Sequence, residues 1–396
     1  MRQTIFFLKP HLGETVVRFK QIAACCSGIL CAAMLSTSAQ ADEANKVNIW
    51  NWSDYIAQDT VSNFEKDSGL KSNYVMFDSN ELVEARMLSG NTGFDAIMMT
   101  SYYVPRLAAA GALEKLDKSL LTNYKGLDPK RMELLAKLDE GNTYAIPYTE
   151  ISLGIGYNTK KIKEIFGEDF KVDSWDVLFK PENSAKLKQC GIAVLDSPVE
   201  VISTVQHYLK KDPKGQRRSD YAEAQELLTN LAKNVAYFHS SRYINDLASG
   251  DICMAIGYSG DILQAKDRAA AAKRDYTIEY VFPKEGSLLW FDCWVVPKGA
   301  PQLANGHKWI DYLMRPDVAA SVSNEIRYIL PVTKAMDNLD EALKSNPSVN
   351  LSEETLKTAY FPEAPTARQS KVHNQVWNAM KLNSTKDSEE EGTGWE

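Results

Sequence analysis

Lys46 to Asn51 alternates polar with apolar, Val47 and Ile49 on one side and Asn48 on the other, which is the period-two pattern of a β-strand. The alternation stops where Trp52-Ser53-Asp54-Tyr55-Ile56 gathers rings, a hydroxyl and a carboxylate. Thr60 to Ser68 carries Val61 and Phe64 at helical spacing and ends at Gly69, a natural C-terminal cap. Tyr74 to Phe77 predicts the next strand, and Asp78-Ser79-Asn80-Glu81 a capping box for a helix that ends by Gly90. Phe94 to Met99 reads as a strand buried on both faces, with Thr100-Ser101-Tyr102-Tyr103 at its end. Strand and helix thus alternate, as in a mostly parallel sheet with right-handed crossovers.

Tyr144 to Asn158 is a long extended passage with glycines at 154 and 156, expected to cross from one lobe to another. A second α/β stretch follows: Ser174 caps a short helix, Gly191 to Leu195 is a strand, and Ser197-Pro198-Val199-Glu200 opens a helix to about Tyr208. Ile252 to Gly257 is a strand ending at Tyr258-Ser259-Gly260-Asp261 before an alanine-rich helix. Tyr276 to Phe282 and Leu288 to Val296 read as strands separated by a turn at Pro283-Lys284-Glu285-Gly286. Helices predominate from Asn305, and Ser384 to Glu396 reads as a frayed acidic tail.

A chain of 396 residues that is 44% hydrophobic exceeds one core, so two lobes are expected. The first 41 residues stand apart: Arg2, Lys9, Arg18 and Lys20, an uncharged run from Ile22 to Thr37, and Ala39-Gln40-Ala41 read as a secretory signal cleaved near Ala41. Its removal takes away four basic residues and Glu14, moving the formal charge from −7 to −10. That balance argues against nucleic acid or anionic membrane as partners. Cys190, Cys253 and Cys293 remain; the expected disulfide joins Cys190 to Cys253, because Cys293 lies in the apolar run Trp290 to Val296.

Familiar catalytic signatures are missing, and Gly257-Tyr258-Ser259-Gly260-Asp261 lacks the last glycine of a nucleophile elbow. His207, His239, His307 and His373 have no metal-ligand spacing. What recurs is acid beside aromatic at strand ends: Trp52 with Asp54, Tyr258 with Asp261, Trp290 with Asp292. Bland explanations exist for several. Trp52 and Tyr55 fit a core, and Asp261 and Glu200 fit helix caps. Asp292 is harder to dismiss, because a carboxylate inside Leu288 to Val296 is costly unless a donor or cation meets it. Carboxylates with flat aromatic walls suit a polycation with a hydrocarbon middle, held by charge-assisted hydrogen bonds and ring faces.

Asn51 to Ile56, Gly154-Ile155-Gly156-Tyr157-Asn158, Leu195-Asp196-Ser197-Pro198 with Glu200, Gly250 to Gly257 with Gly260-Asp261, and Pro283 to Gly286 before Phe291-Asp292 occur in that order. Together they resemble the periplasmic putrescine/spermidine-binding proteins of bacterial ABC importers. The resemblance implies an α/β, two-lobed periplasmic-binding-protein fold of type II, each lobe a mostly parallel sheet flanked by helices, with the ligand cleft between them. It also implies a polyamine ligand, delivery to a membrane permease, action as a monomer in the periplasm, and neither catalysis nor a cofactor or metal. By position it implies an aromatic box of Trp52, Tyr55, Tyr258, Trp290 and Tyr328, acceptors Asp54, Glu200, Asp261 and Asp292, and hydroxyl contacts Ser53 and Thr100. Residues 42–148 and 276–330 would form the first lobe, 149–275 and 331–385 the second, and 386–396 a flexible tail. Tyr102-Tyr103 looks like the spermidine branch and Asp54 with Asp261 like the putrescine branch, so chain length stays open. The rival readings are a receptor for another organic cation, such as agmatine or a choline-like ammonium, and a secreted carbohydrate-active enzyme.

Overall fold

The computed structural model describes residues 44–392; the expected export signal lies outside them. Nine strands form one sheet: β1 (Lys46–Trp52), β2 (Lys71–Phe77), β3 (Ala96–Thr100), β4 (Ala145–Asn158), β5 (Ile192–Val194), β6 (Tyr237–Phe238), β7 (Met254–Tyr258), β8 (Ile278–Val281) and β9 (Leu289–Val295). Their order is β2-β1-β3-β9-β4-β7-β5-β6, with β8 also on β4. β1 runs parallel to β3, and β5 parallel to both β6 and β7. The antiparallel pairs are those made by β4 and β9.

β4 is the passage expected to cross between lobes, and its pairing shows how one strand serves both. Ala145 to Ser152 pairs with β9, whereas Leu153 to Asn158 pairs with β7 and β8. Gly154 is required there: a Cβ would stand 2.3 Å from the carbonyl oxygen of Val281 on β8. A two-lobed α/β arrangement results, with parallel flanks on either side of a continuous central strand.

β3 and β9 are buried along their whole lengths, as their apolar sequences predict. Helices at Thr60–Ser68, Pro198–Tyr208 and Ser259–Ala271 fall where the hydrophobic pattern puts them, the first ending at left-handed Gly69. Three local expectations are corrected. The helix Asn80–Leu88 is capped by Ser79, which accepts from the Leu82 amide, because Asp78 instead accepts from the Ser241 hydroxyl. Ser197 accepts no capping hydrogen bond, and Glu200 points away from it. The final helix runs from Ala367 to Gly392, through most of the expected tail, since Gly392 is the first glycine or proline after Ala367.

No helix among the described residues is long and apolar enough to cross a membrane. Cys190 and Cys253 are bonded with 5.4 Å between their Cα atoms, and Cys293 is a buried thiol, as the composition of its strand suggests. The bridge ties the start of β5 to β7 across 63 residues of sequence. Replacing both partners by serine should lower the unfolding free energy by roughly 2 to 4 kcal/mol through a less constrained unfolded chain. Urea titration of oxidised wild type and the double variant measures it, and coincident midpoints would refute it.

Candidate functional site

The site begins with strand ends. Thr100 closes β3 directly opposite Asp292 of β9, and Thr149 of β4 faces Asp292 from the other side. Thr100 donates its hydroxyl to Asp292 Oδ1 at 2.8 Å and accepts from Asn80 Nδ2 at 2.8 Å. Asp292 is 3% exposed, so the carboxylate that interrupts the apolar strand is held within the sheet. Tyr55 follows β1 and joins its hydroxyl to Thr149, while its ring meets Tyr148 and Tyr328 edge-on with centroids 5.4 Å away.

Glu200 and Asp261 arrive on helices, each clasped by two phenols. Glu200, in the first turn of Pro198–Tyr208, accepts from Tyr102 at 3.0 Å and Tyr258 at 2.8 Å, one on each oxygen. Asp261, in the first turn of Ser259–Ala271, accepts from Tyr243 at 2.7 Å and Tyr328 at 2.9 Å. Gly260 makes the second clasp possible, because a Cβ there would lie 2.3 Å from the Tyr328 ring. Neither acid caps its helix. Trp290 meets Tyr102 and Tyr258 edge-on, closing the aromatic wall.

These groups surround one small cavity. Its walls include Trp52, Ser53, Tyr55, Thr100, Glu200, Tyr258, Asp261, Trp290, Asp292 and Tyr328, and no lysine or arginine. Burial dominates the electrostatics. It pushes Glu200 and Asp261 up to about 7 and Asp292 up to about 6, even though hydrogen bonds from the phenols and Thr100 pull the other way. No cation lines the cavity, although Arg268 acts on Asp261 from outside it, so the walls are chemically suited to cationic hydrogen-bond donors. Among the described residues no cluster suits a metal ion.

Asp54 is the correction. It does not line the cavity: at φ +54° it turns outward, half-exposed, and pairs with Arg268 at 2.7 Å. Asp54 thus bridges two segments here, and its charge still acts on Asp261. Other participants escaped the sequence reading. Asn80, Ile151, Ser240 and Ser241 also line the cavity, and Tyr243 and Tyr148 stand behind it. Tyr243 opens a short helix with nothing in its neighbourhood to mark it, whereas Tyr102 was visible as part of the hydroxyl-aromatic run ending β3.

A family model for bacterial extracellular solute-binding proteins matches residues 59–350. The chain is 41% identical over 358 residues to the putrescine-binding periplasmic protein PotF of Escherichia coli, covering 90% of this chain and 97% of that protein. It is 41% identical over 351 residues to the putrescine-binding periplasmic protein SpuD of Pseudomonas aeruginosa, covering 88% and 95%. A solved chain assigned to a spermidine/putrescine ABC transporter of Listeria monocytogenes superposes with a TM-score of 0.76 at 29% identity, covering 85% of this chain and 99% of that one.

The contact of Gly260 with Tyr328 makes a local prediction. Gly260→Ala should force the ring off Asp261 and cost about 1 to 3 kcal/mol by overpacking. Gly126→Ala, with nothing within 4 Å of its Cβ, serves as the control. Equal melting temperatures for the two variants would show that Tyr328 yields freely.

Proposed function

The chain belongs to the bacterial extracellular solute-binding protein family, and from that premise we propose that it is a periplasmic receptor for a polyamine, putrescine and/or spermidine. It delivers that ligand to an ABC permease and catalyses nothing itself. The observation that carries the reading is the set of three buried carboxylates, Glu200, Asp261 and Asp292, around one small cavity free of basic side chains. Primary ammoniums bring the missing charge and three donors each, and the faces of Trp52, Tyr55, Tyr258, Trp290 and Tyr328 cover the methylenes. A micromolar affinity corresponds to about −8 kcal/mol, within reach of a few desolvated ion pairs and ring contacts.

A division into residues 42–148 with 276–330 and 149–275 with 331–385 also gives closure a physical basis. Tyr102 with Glu200, Asp54 with Arg268, and Asp78 with Ser241 each join the first lobe to the second. Ligand would shift the population towards this closed arrangement by binding it better than the open one. The receptor acts as an exported monomer released from its signal near Ala41. Agmatine is a narrower variant of the same reading, as its ammonium and guanidinium use the same acceptors. A choline-like ligand is disfavoured by acceptors that its quaternary head cannot use.

Titrating putrescine, cadaverine, spermidine, spermine, agmatine and choline against the purified protein by calorimetry tests the reading; it fails if no amine binds. Asp292→Asn should weaken the preferred amine by about 2 to 5 kcal/mol, because one ligand charge would then be buried without its partner. The same substitution should raise the ligand-free melting temperature, since an uncompensated buried acid disappears. Unchanged affinity in this variant would remove Asp292 from the site.

The pH dependence follows from the raised acids. Between about pH 5 and 7 the ligand amines stay protonated while Glu200, Asp261 and Asp292 take up protons that binding must expel. Affinity should therefore rise with pH across that window and flatten above about 8. In the ligand-free protein the sign is opposite: acids raised on folding stabilise the native state at the acidic end, and that contribution is lost as pH passes their folded values. Calorimetry at pH 6 in buffers of different ionisation enthalpy should detect proton release. A pH-independent affinity would mean that these acids bind ligand without changing protonation.

A further inference from the structure

Glu81 is a carboxylate that neither the sheet nor the helix caps account for. It occupies the first turn of Asn80–Leu88, but Ser79 caps that helix, so Glu81 is not needed there. Its Oε2 accepts from the Ser79 hydroxyl at 3.0 Å, whereas its Oε1 is buried and meets no partner. The nearby guanidinium is engaged elsewhere: Arg106 pairs with Glu84 at 2.6 Å and donates to the Pro365 carbonyl. Neither protonation state resolves the problem. Ionised, Oε1 lacks a donor; with a proton on Oε2 given to the Ser79 hydroxyl oxygen, Oε1 is still an acceptor without one.

The location gives this orphan atom meaning. Asn80, the preceding residue, is part of the cavity wall and hydrogen-bonds Thr100, which in turn holds Asp292. Glu81 lies close enough to Glu200, Tyr102 and Tyr103 for its charge to act on all three, and burial raises its own carboxyl above the usual range. Glu200 thus feels the charge of both Asp292 and Glu81. The oxygens of Asp261 and Glu200 are each clasped by a phenol, while Glu81 Oε1 is bare.

We propose that Glu81 is a specificity-determining residue of the amine site, its bare oxygen receiving the additional ammonium of a triamine beyond the pair that a diamine supplies. The inference rests on the polyamine reading and deepens it. A diamine completes its charge pairing within the cavity wall; a triamine carries one more cation, and Glu81 is the acid near Glu200 with one oxygen that meets no donor. Glu81 stands behind Asn80 rather than in the cavity wall itself, so its bare oxygen would meet an ammonium that extends past Asn80.

Calorimetry of wild type and Glu81→Gln with putrescine and with spermidine tests this. The substitution should weaken spermidine at least tenfold and leave putrescine within about threefold. The ligand-free melting temperature should not fall, as a neutral amide replaces an unmatched acid. Equal weakening of both amines, or of neither, would overturn the inference while the polyamine reading stands. Wild type that binds putrescine but no triamine would do the same. Wild type that binds no amine would instead sink the polyamine reading itself, and the inference with it.

Discussion

Three carboxylates share one small, buried, uncationic space, and most of what is distinctive in this chain follows from that constraint. Desolvating an ionised carboxylate without a counter-charge is costly enough that each acid titrates near neutrality instead of near 4. The closed arrangement is therefore stable only in part on its own account. A ligand that supplied the charge would convert a local liability into binding energy.

The sheet explains how such groups are held. β4 runs through both halves, exchanging β9 for β7 and β8 as pairing partners along its length. Asp292 sits on β9 between Thr100 and Thr149; the Thr100 hydroxyl meets its carboxylate directly, whereas that of Thr149 holds Tyr55. Glu200 and Asp261 come from the first turns of helices, where partial positive charge at the helix N-terminus favours an anion. The position of each acid thus softens its burial without cancelling it.

Much of this was legible in the sequence, and the misses have physical reasons. Period-two and helical patterns located β1, β3, β9 and the helix Pro198–Tyr208 because burial imposes those patterns directly. Asp292 stood out for the same reason, as a polar residue against a strong apolar background. Asp54 looked equivalent beside Trp52, but its orientation depends on a left-handed backbone and on Arg268, more than two hundred residues later. Tyr243 was invisible because its role depends on reaching Asp261, a distance no local pattern encodes. Asp78 with Glu81 fits a capping box in sequence, but Asp78 meets the Ser241 hydroxyl and Ser79 caps the helix.

The choice of phenols as partners for Glu200 and Asp261 is itself informative. An arginine or lysine would meet the same oxygens and lower the burial cost, yet it would neutralise the charge and compete with a cationic ligand, as Arg268 does at Asp54. A tyrosine hydroxyl donates one hydrogen bond, fixes the carboxylate in place, and leaves its formal charge unmatched. Its ring simultaneously supplies a flat apolar face suited to methylenes and attractive to cations. Tyr102, Tyr243, Tyr258 and Tyr328 therefore orient two acids while preserving their demand for an external cation. A site built from acid–base pairs would be more stable when empty and less able to bind an amine.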